Sequence, residues 1–250
     1  MTHRITKQQW QRHEAAVRLI ESKGELSWPQ VEYVLEHWQP AATNDLVKAG
    51  MFFTPMGMAW DIAAMHHLVG EGGSHIDLCA GIGRLLYWWV RLHEHDKRPS
   101  RFVAVELNQR NVEIGRRILP MVEWVQADAF DLARMETLGV FHIGVSNPPF
   151  NKAPTTRHNE QLTYHGMAEL QAAEVLTHLV PRSSSYLIAG RNVLDWGERG
   201  QEVHPVSEEY RRWQALHPEW VLTRTSLDDD RLRFQDTDTG YSIAELCRKE

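Results

Sequence analysis

The sequence predicts an α/β fold, an open and mostly parallel sheet with helices on both faces and an antiparallel hairpin at one edge. Three observations lead there. From about residue 74 onward, short β-rich runs alternate with helical stretches at the spacing of βαβ units. The last two β-rich runs follow one another with no helix between them, as antiparallel neighbours do when a short connection suffices. A chain of 250 residues with 42 % hydrophobic content buries one sizeable core and fits a single α/β domain better than two.

Residues 1–50 read as a mostly polar helical segment that caps the core domain. Trp10, Val17, Leu19 and Ile20 form one apolar stripe, and Val31, Val34, Leu35 and Trp38 form another. Ser27 and Trp28 ahead of Pro29 suit a helix start. Strands are expected at His75–Leu78, Phe102–Glu106, Glu123–Gln126, Phe141–Ser146, Ser184–Ala189, Val221–Thr225 and Tyr241–Leu246. Helices are expected between them at Ile82–His93, Gln109–Leu119, Ala133–Leu138 and Met167–Leu179. No internal repeat, low-complexity tract or Pro/Gly/Ser-rich linker interrupts residues 51–250.

Composition narrows the class. No apolar run approaches the ~20 residues that cross a bilayer, and the polar start MTHRITKQQWQRHE does not resemble a signal peptide, so a cytoplasmic protein without membrane contact is expected. Two cysteines, Cys79 and Cys247, lack metal-like spacing and argue against a disulfide framework. Fourteen histidines, including His66, His67, His93 and His95, have no supporting Cys or carboxylate pattern, so they are read as solvated or helix-surface groups and no metal is expected. The net charge of −6 runs against a simple nucleic-acid binder unless charge segregates. An acidic side carrying Asp228, Asp229, Asp230, Asp236 and Asp238 can coexist with a basic binding face.

Four motifs follow strands in order. His75-Ile-Asp77-Leu-Cys79-Ala-Gly81-Ile-Gly83-Arg-Leu85 is a strand running into a Gly-rich turn that opens a helix, where Gly81 and Gly83 let the backbone bend sharply and approach a ligand. Asp77 before the turn is costly to desolvate unless a polar or cationic ligand is near. Glu106 ends an apolar strand 23 positions after Gly83, about the spacing at which a nucleotide-binding sheet sets a carboxylate against ribose hydroxyls. Asp128, just past the next strand, can accept an adenine amino group while Phe130 lines the ring. These acids share the face where open sheets bind ligands.

The fourth motif, Ser146-Asn147-Pro148-Pro149-Phe150, directly follows a strand. Two prolines stiffen the backbone and remove two donors. The Asn147 side-chain oxygen and the Pro148 carbonyl can together accept both hydrogens of an NH2 group, and Phe150 can stack on a flat substrate. The expected arrangement has this corner projecting its amide oxygen and ring into the ligand cavity. A fifth element, Gly50-Met51-Phe52-Phe53-Thr54-Pro55, precedes the first strand of the sheet.

Taken in order, Phe-Phe-Thr-Pro, Asp-Leu-Cys-Ala-Gly-Ile-Gly, an acidic strand end, Ala-Asp-Ala-Phe and Asn-Pro-Pro-Phe resemble the gamma-class N6-adenine DNA methyltransferases, including modification subunits of type I restriction systems. The resemblance runs from about Phe52 to Phe150, with Arg191–Leu194 and Thr239–Ile243 less specifically similar. It implies a Rossmann-like class I methyltransferase sheet, a catalytic domain over residues 51–250, and S-adenosyl-L-methionine as cofactor. It further implies that Phe53 and Thr54 contact the methionine end, that Asp77, Gly81 and Gly83 surround the donor, that Glu106 binds the ribose and Asp128 the adenine amino group with Phe130 beside the ring, and that Cys79, Leu107, Ala129 and Asn147 also bind the cofactor. Asn147, Pro148, Pro149 and Phe150 would form the catalytic corner.

The implied reaction is in-line methyl transfer to adenine N6 in DNA, with the base rotated out of the duplex. Family members usually carry a long target-recognition region after these motifs, and no such domain is evident here. The loop Asn151–His165, with Lys152 and Arg157, is therefore the expected substrate contact. A specificity-giving partner or a homodimer is also expected, the latter from ten tryptophans that include the Trp88-Trp89 pair. Rival readings are an RNA or protein-glutamine N-methyltransferase, which faces the same NH2 problem, and a non-catalytic binding protein that keeps the fold.

Overall fold

Helix α1 (Lys7–Glu21) begins where Thr6 accepts from the Gln9 amide and Gln9 returns the bond to the Thr6 amide, a reciprocal cap. α2 (Trp28–His37) starts on Ser27 with Pro29 in its first turn, where the missing N–H has no intrahelical partner to lose. The computed structural model describes residues 6–39, 53–66, 72–153, 155–198, 201–225 and 241–249. Gly50, Met51, Phe52, His67, Thr239, Gly240 and the five acidic residues between 228 and 238 lie outside the described residues.

After α3 (Met56–His66) the chain lays down β1 (Ser74–Leu78), α4 (Arg84–Leu92), β2 (Arg101–Glu106), α5 (Gln109–Ile118), β3 (Glu123–Gln126), α6 (Leu132–Glu136), β4 (Ile143–Ser146), α7 (Ala168–Leu179), β5 (Ser185–Gly190), α8 (Glu208–Leu216), β6 (Trp220–Arg224) and β7 (Tyr241–Arg248). The strands form one sheet in the order β3-β2-β1-β4-β5-β7-β6. β3, β2, β1, β4 and β5 pair in parallel, while β7 inserts antiparallel between β5 and β6. All seven expected strands are present within two residues at each end. The expected hairpin forms too, with β6 rather than β7 as the edge.

Two cores flank the sheet. One packs α1 to α5 against it through residues such as Val34, Ile62, Leu86, Trp89 and Ile114, and the other packs α6 to α8 through Leu132, Leu170, Leu176 and Trp213. The N-terminal helices dock on this body by specific bonds: Arg117 donates to the carbonyls of Ile20 and Ser22, Trp28 Nε1 donates to Glu94, and Tyr87 donates to Glu32.

Several expectations need correction. Helices α3 and α8 lie outside the expected set; α3 carries apolar residues on nearly every side, while the buried face of α8 is a short stripe of Tyr210 and Trp213 in an otherwise polar stretch. The histidines are not uniformly solvated: His13, His75, His93 and His217 are buried. His93 pairs with Asp96, and His75 stacks on Phe102 with ring centroids 5.0 Å apart. The tryptophan supply that motivates a dimer is mostly consumed internally, since Trp38, Trp89, Trp124, Trp196, Trp213 and Trp220 are buried and Trp10 and Trp60 are the exposed ones. Among the described residues no helix is long and apolar enough to cross a membrane, and no cluster of His, Cys, Asp and Glu could hold a metal ion.

Candidate functional site

Where the parallel strands end, the backbone turns away from the sheet and leaves a cavity of about 920 Å³, part of it open to solvent. Its floor is the turn after β1. Cys79, Gly81 and Gly83 all take positive φ (63°, 58° and 96°), so three left-handed steps fold the chain tightly between β1 and α4. Ala80 N–H donates to the Val105 carbonyl and Gly81 N–H donates to Glu106 Oε2 at 2.8 Å, tying this turn to the end of β2. At Gly81 a side chain is also excluded by crowding, because a Cβ would fall 2.6 Å from the Phe53 ring.

Glu106 also accepts the Asn108 N–H at 2.7 Å. Each carboxylate oxygen therefore already holds one backbone donor, and the remaining lone pairs can still receive hydroxyls. Burial raises the Glu106 pKa above its usual value, while the Asn108 and Gly81 bonds pull it back. Asp128 is half-buried past β3 and turns the chain there by accepting the Phe130 N–H at 2.9 Å.

The opposite wall is the corner after β4. Ser146 Oγ donates to the Leu78 carbonyl at 2.8 Å, fastening the end of β4 to that of β1. Asn147 Nδ2 then donates to Thr54 Oγ1 at 2.9 Å. This bond orients the amide so that its oxygen faces away from Thr54. Phe53 is backed by Trp38 of the N-terminal segment, with ring centroids 5.6 Å apart, and the Arg84 guanidinium lies 4.9 Å from the Phe53 ring centroid.

Phe53, Thr54, Cys79, Gly81, Glu106, Leu107, Asp128, Ala129, Phe130, Asn147, Pro148 and Pro149 thus line one cavity, although they come from separate segments of the chain. Four sequence-nominated residues stand elsewhere, and Gly83 sits behind the floor. Asp77 is fully buried within β1 and is not a lining residue. Among the described residues neither of its carboxylate oxygens has a hydrogen-bond partner, and burial, with the Glu106 charge adding to it, holds its pKa well above the usual range. Phe150 is half-buried against the first core rather than on the cavity lining. Lys152 is exposed beside Glu209 at 3.9 Å, and Arg157 is exposed on the loop beyond. Ala80, Arg84, Leu85 and Val105, which stand within the motif runs but carry no expected role there, also line the cavity. Arg84 directly follows the Gly-rich turn, so its position was the available signal.

The loop after the corner is built, not loose. Glu174 of α7 accepts from Thr163 N (2.6 Å), Thr163 Oγ1 (2.8 Å) and Tyr164 N (3.0 Å) and faces His217 Nε2 at 3.5 Å. Burial opposes ionisation of Glu174, but the bonds to His217, Thr163 and Tyr164 outweigh it and hold its pKa below the usual value.

No protein-family model matches the chain, and no curated protein sequence matches it significantly. Solved structures do match its fold. A Vibrio vulnificus YJ016 protein described as a modification subunit of a type I restriction enzyme superposes with TM-score 0.60 at 12 % identity, over 90 % of this chain and 51 % of that one. A Listeria monocytogenes protein described as a class I S-adenosylmethionine-dependent methyltransferase superposes with TM-score 0.58 at 12 % identity, over 95 % and 80 %. A Pyrococcus horikoshii protein described as an RNA methyltransferase gives 0.51 at 17 % identity, over 96 % and 98 %. The chain spans about half the length of the Vibrio subunit. The fold is Rossmann-like, of the class I methyltransferase type.

Proposed function

We propose that this protein is an S-adenosyl-L-methionine-dependent methyltransferase that modifies an exocyclic amino group, adenine N6 in DNA being the acceptor that its motifs resemble most. One observation carries the reading: the acids after β2 and β3 and the Asn147–Pro149 corner after β4 open into the same cavity, with Thr54 holding the Asn147 amide.

The residues present fit such a donor. Glu106 and Asp128 offer acceptors to ribose hydroxyls and an adenine amino group, Phe130 and Val105 offer apolar walls, and a side chain at Gly81 would crowd Phe53 inside the cavity. When bound, the donor supplies an electrophilic methyl group on sulfur. An aromatic amine is a poor nucleophile because its lone pair is delocalised. Asn147 Oδ1 and the Pro148 carbonyl would accept hydrogen bonds from its two N–H groups, which favours a tetrahedral nitrogen with its lone pair aimed at the methyl; the surplus proton on nitrogen would pass to water, leaving S-adenosyl-L-homocysteine as the demethylated donor. Much of the acceleration comes from orientation, which Pro148 and Pro149 hold stiffly.

The net charge of −6 favours a second reading, in which the acceptor is a protein amide. The test is product analysis after incubating labelled donor with DNA, RNA and cell extract, followed by digestion of the DNA to nucleosides and mass analysis. N6-methyladenine supports the first reading, and label confined to RNA or protein refutes it. Asn147→Ala is expected to abolish turnover while leaving donor binding measurable; full turnover by that variant refutes the role of the corner.

A further inference from the structure

We infer that Arg84 receives the α-carboxylate of the methyl donor and thereby sets which way round the donor lies; this rests on the reading that the cavity takes S-adenosyl-L-methionine. Sheet order distributes charge along the cavity. Asp128 follows β3 and Glu106 follows β2, on one side of the central turn, while Thr54 and Asn147 stand on the β4 side. Among the described lining residues Arg84 is the one cation. The donor is asymmetric in the matching sense, since its adenosyl end carries hydroxyls and an amino group that acidic acceptors receive, and its amino-acid end carries its one carboxylate. Reversed, it would set that carboxylate against Glu106 and Asp128, and like charges in a half-enclosed cavity repel.

Arg84 is held where such a group can reach it. It opens α4 immediately after Gly83, its Nη1 donates to the Thr54 carbonyl at 3.2 Å, and its guanidinium packs over Phe53. These contacts place the cation on the same Phe53–Thr54 segment that orients Asn147. A planar guanidinium with five donors can bridge a backbone carbonyl and a carboxylate at once, which the ammonium of a lysine does less well. Arg84 thus serves as a positioning residue: by holding the amino-acid end it sets the sulfonium between itself and the acids, within reach of the β4 corner.

The test measures equilibrium binding by calorimetry for two probes that differ in one group, S-adenosyl-L-methionine and its decarboxylated analogue, which keeps the sulfonium and the amine. Arg84→Met is expected to lose about 30-fold in affinity for the intact donor, the order that a charge-assisted hydrogen-bonded pair supplies, and less than about 3-fold for the decarboxylated probe. Arg84→Lys is expected to recover part of the loss for the intact donor alone. Equal weakening of both probes by Arg84→Met, with thermal unfolding unchanged, assigns Arg84 to bracing Thr54 and overturns the inference; unchanged binding of the intact donor overturns it as well. If the wild-type protein binds neither probe, the cofactor reading fails and takes this inference with it.

Discussion

Replacing Gly81 by alanine separates two physical costs that the turn after β1 combines. The first is conformational. Gly81 sits at φ +58°, and a non-glycine residue in the left-handed region costs about 1–2 kcal/mol. The second is steric, since the new Cβ would lie 2.6 Å from Cε1 of Phe53 and 3.0 Å from Cδ1, so the ring must move. Phe53 is wedged between Trp38 and the Arg84 guanidinium, and overpacking of this kind costs roughly a further 1–3 kcal/mol.

Gly139 supplies the control. It has φ +86° with nothing within 4 Å of an added methyl, so Gly139→Ala bears the conformational cost alone. Gly139→Ala should destabilise by about 1–2 kcal/mol and Gly81→Ala by about 2–5 kcal/mol. For a chain of this size that is a difference of several degrees in Tm, at roughly 2–4 °C per kcal/mol. Urea unfolding of the two variants beside the wild type reads the difference directly, and calorimetric titration with S-adenosylhomocysteine reads displacement of Phe53 as at least ~10-fold weaker binding for Gly81→Ala only. If Gly81→Ala is no less stable than Gly139→Ala and binds like wild type, Phe53 does not stand where the cavity geometry puts it.

Two further perturbations probe the scaffold around the site. Glu169 of α7 is fully buried, one oxygen accepts the Gly190 N–H at 3.5 Å while the other has no partner among the described residues, and burial pushes its pKa up to about 7. The folded state therefore keeps a proton that the unfolded chain releases near 4.5, so its stability contribution falls as pH rises from 4.5 through 7 and is level above. Glu169→Gln should flatten that fall and gain on the order of 3 kcal/mol at pH 8 in urea unfolding; an unchanged pH profile contradicts it. Tyr164 is buried, its hydroxyl donates to Glu209 at 2.5 Å and accepts the Met167 N–H at 3.1 Å. Tyr164→Phe leaves the Met167 amide without its acceptor, while Glu209 keeps Arg212 and Lys152, and should destabilise by about 1–3 kcal/mol, with faster hydrogen exchange at Met167; unaltered exchange there contradicts it.

How much of this was legible in advance differs by level. Strand runs such as Phe102–Glu106 and Ile143–Ser146 are apolar because both faces of a parallel sheet are covered, and that pattern survives in one dimension. Helix α3 has no single apolar stripe, and the stripe of α8 is only two buried aromatics, Tyr210 and Trp213, in a polar stretch, so neither stands out in one dimension. Within the site, acids and turn residues were found because strand ends are marked by local chemistry. Arg84 and Leu85 stand in the glycine motif, but their role depends on which neighbouring segment they face.

Local sequence settled the kinds of groups available: a glycine turn, acids at successive strand ends and a proline-stiffened amide corner. Only the folded arrangement decided which of them share a space. Sheet order sets β1 between β2 and β4, so Glu106 and Asn147, 41 positions apart, border one cavity, while Asp77, two residues from Cys79, turns into the sheet interior instead. Alternation with period two would set Asp77 and Cys79 on one face of β1, but Cys79 leaves the strand at φ 63° to line the cavity while Asp77 stays inside the sheet, and only the pairing of β1 with β2 and β4 decides which strand-end groups share that space.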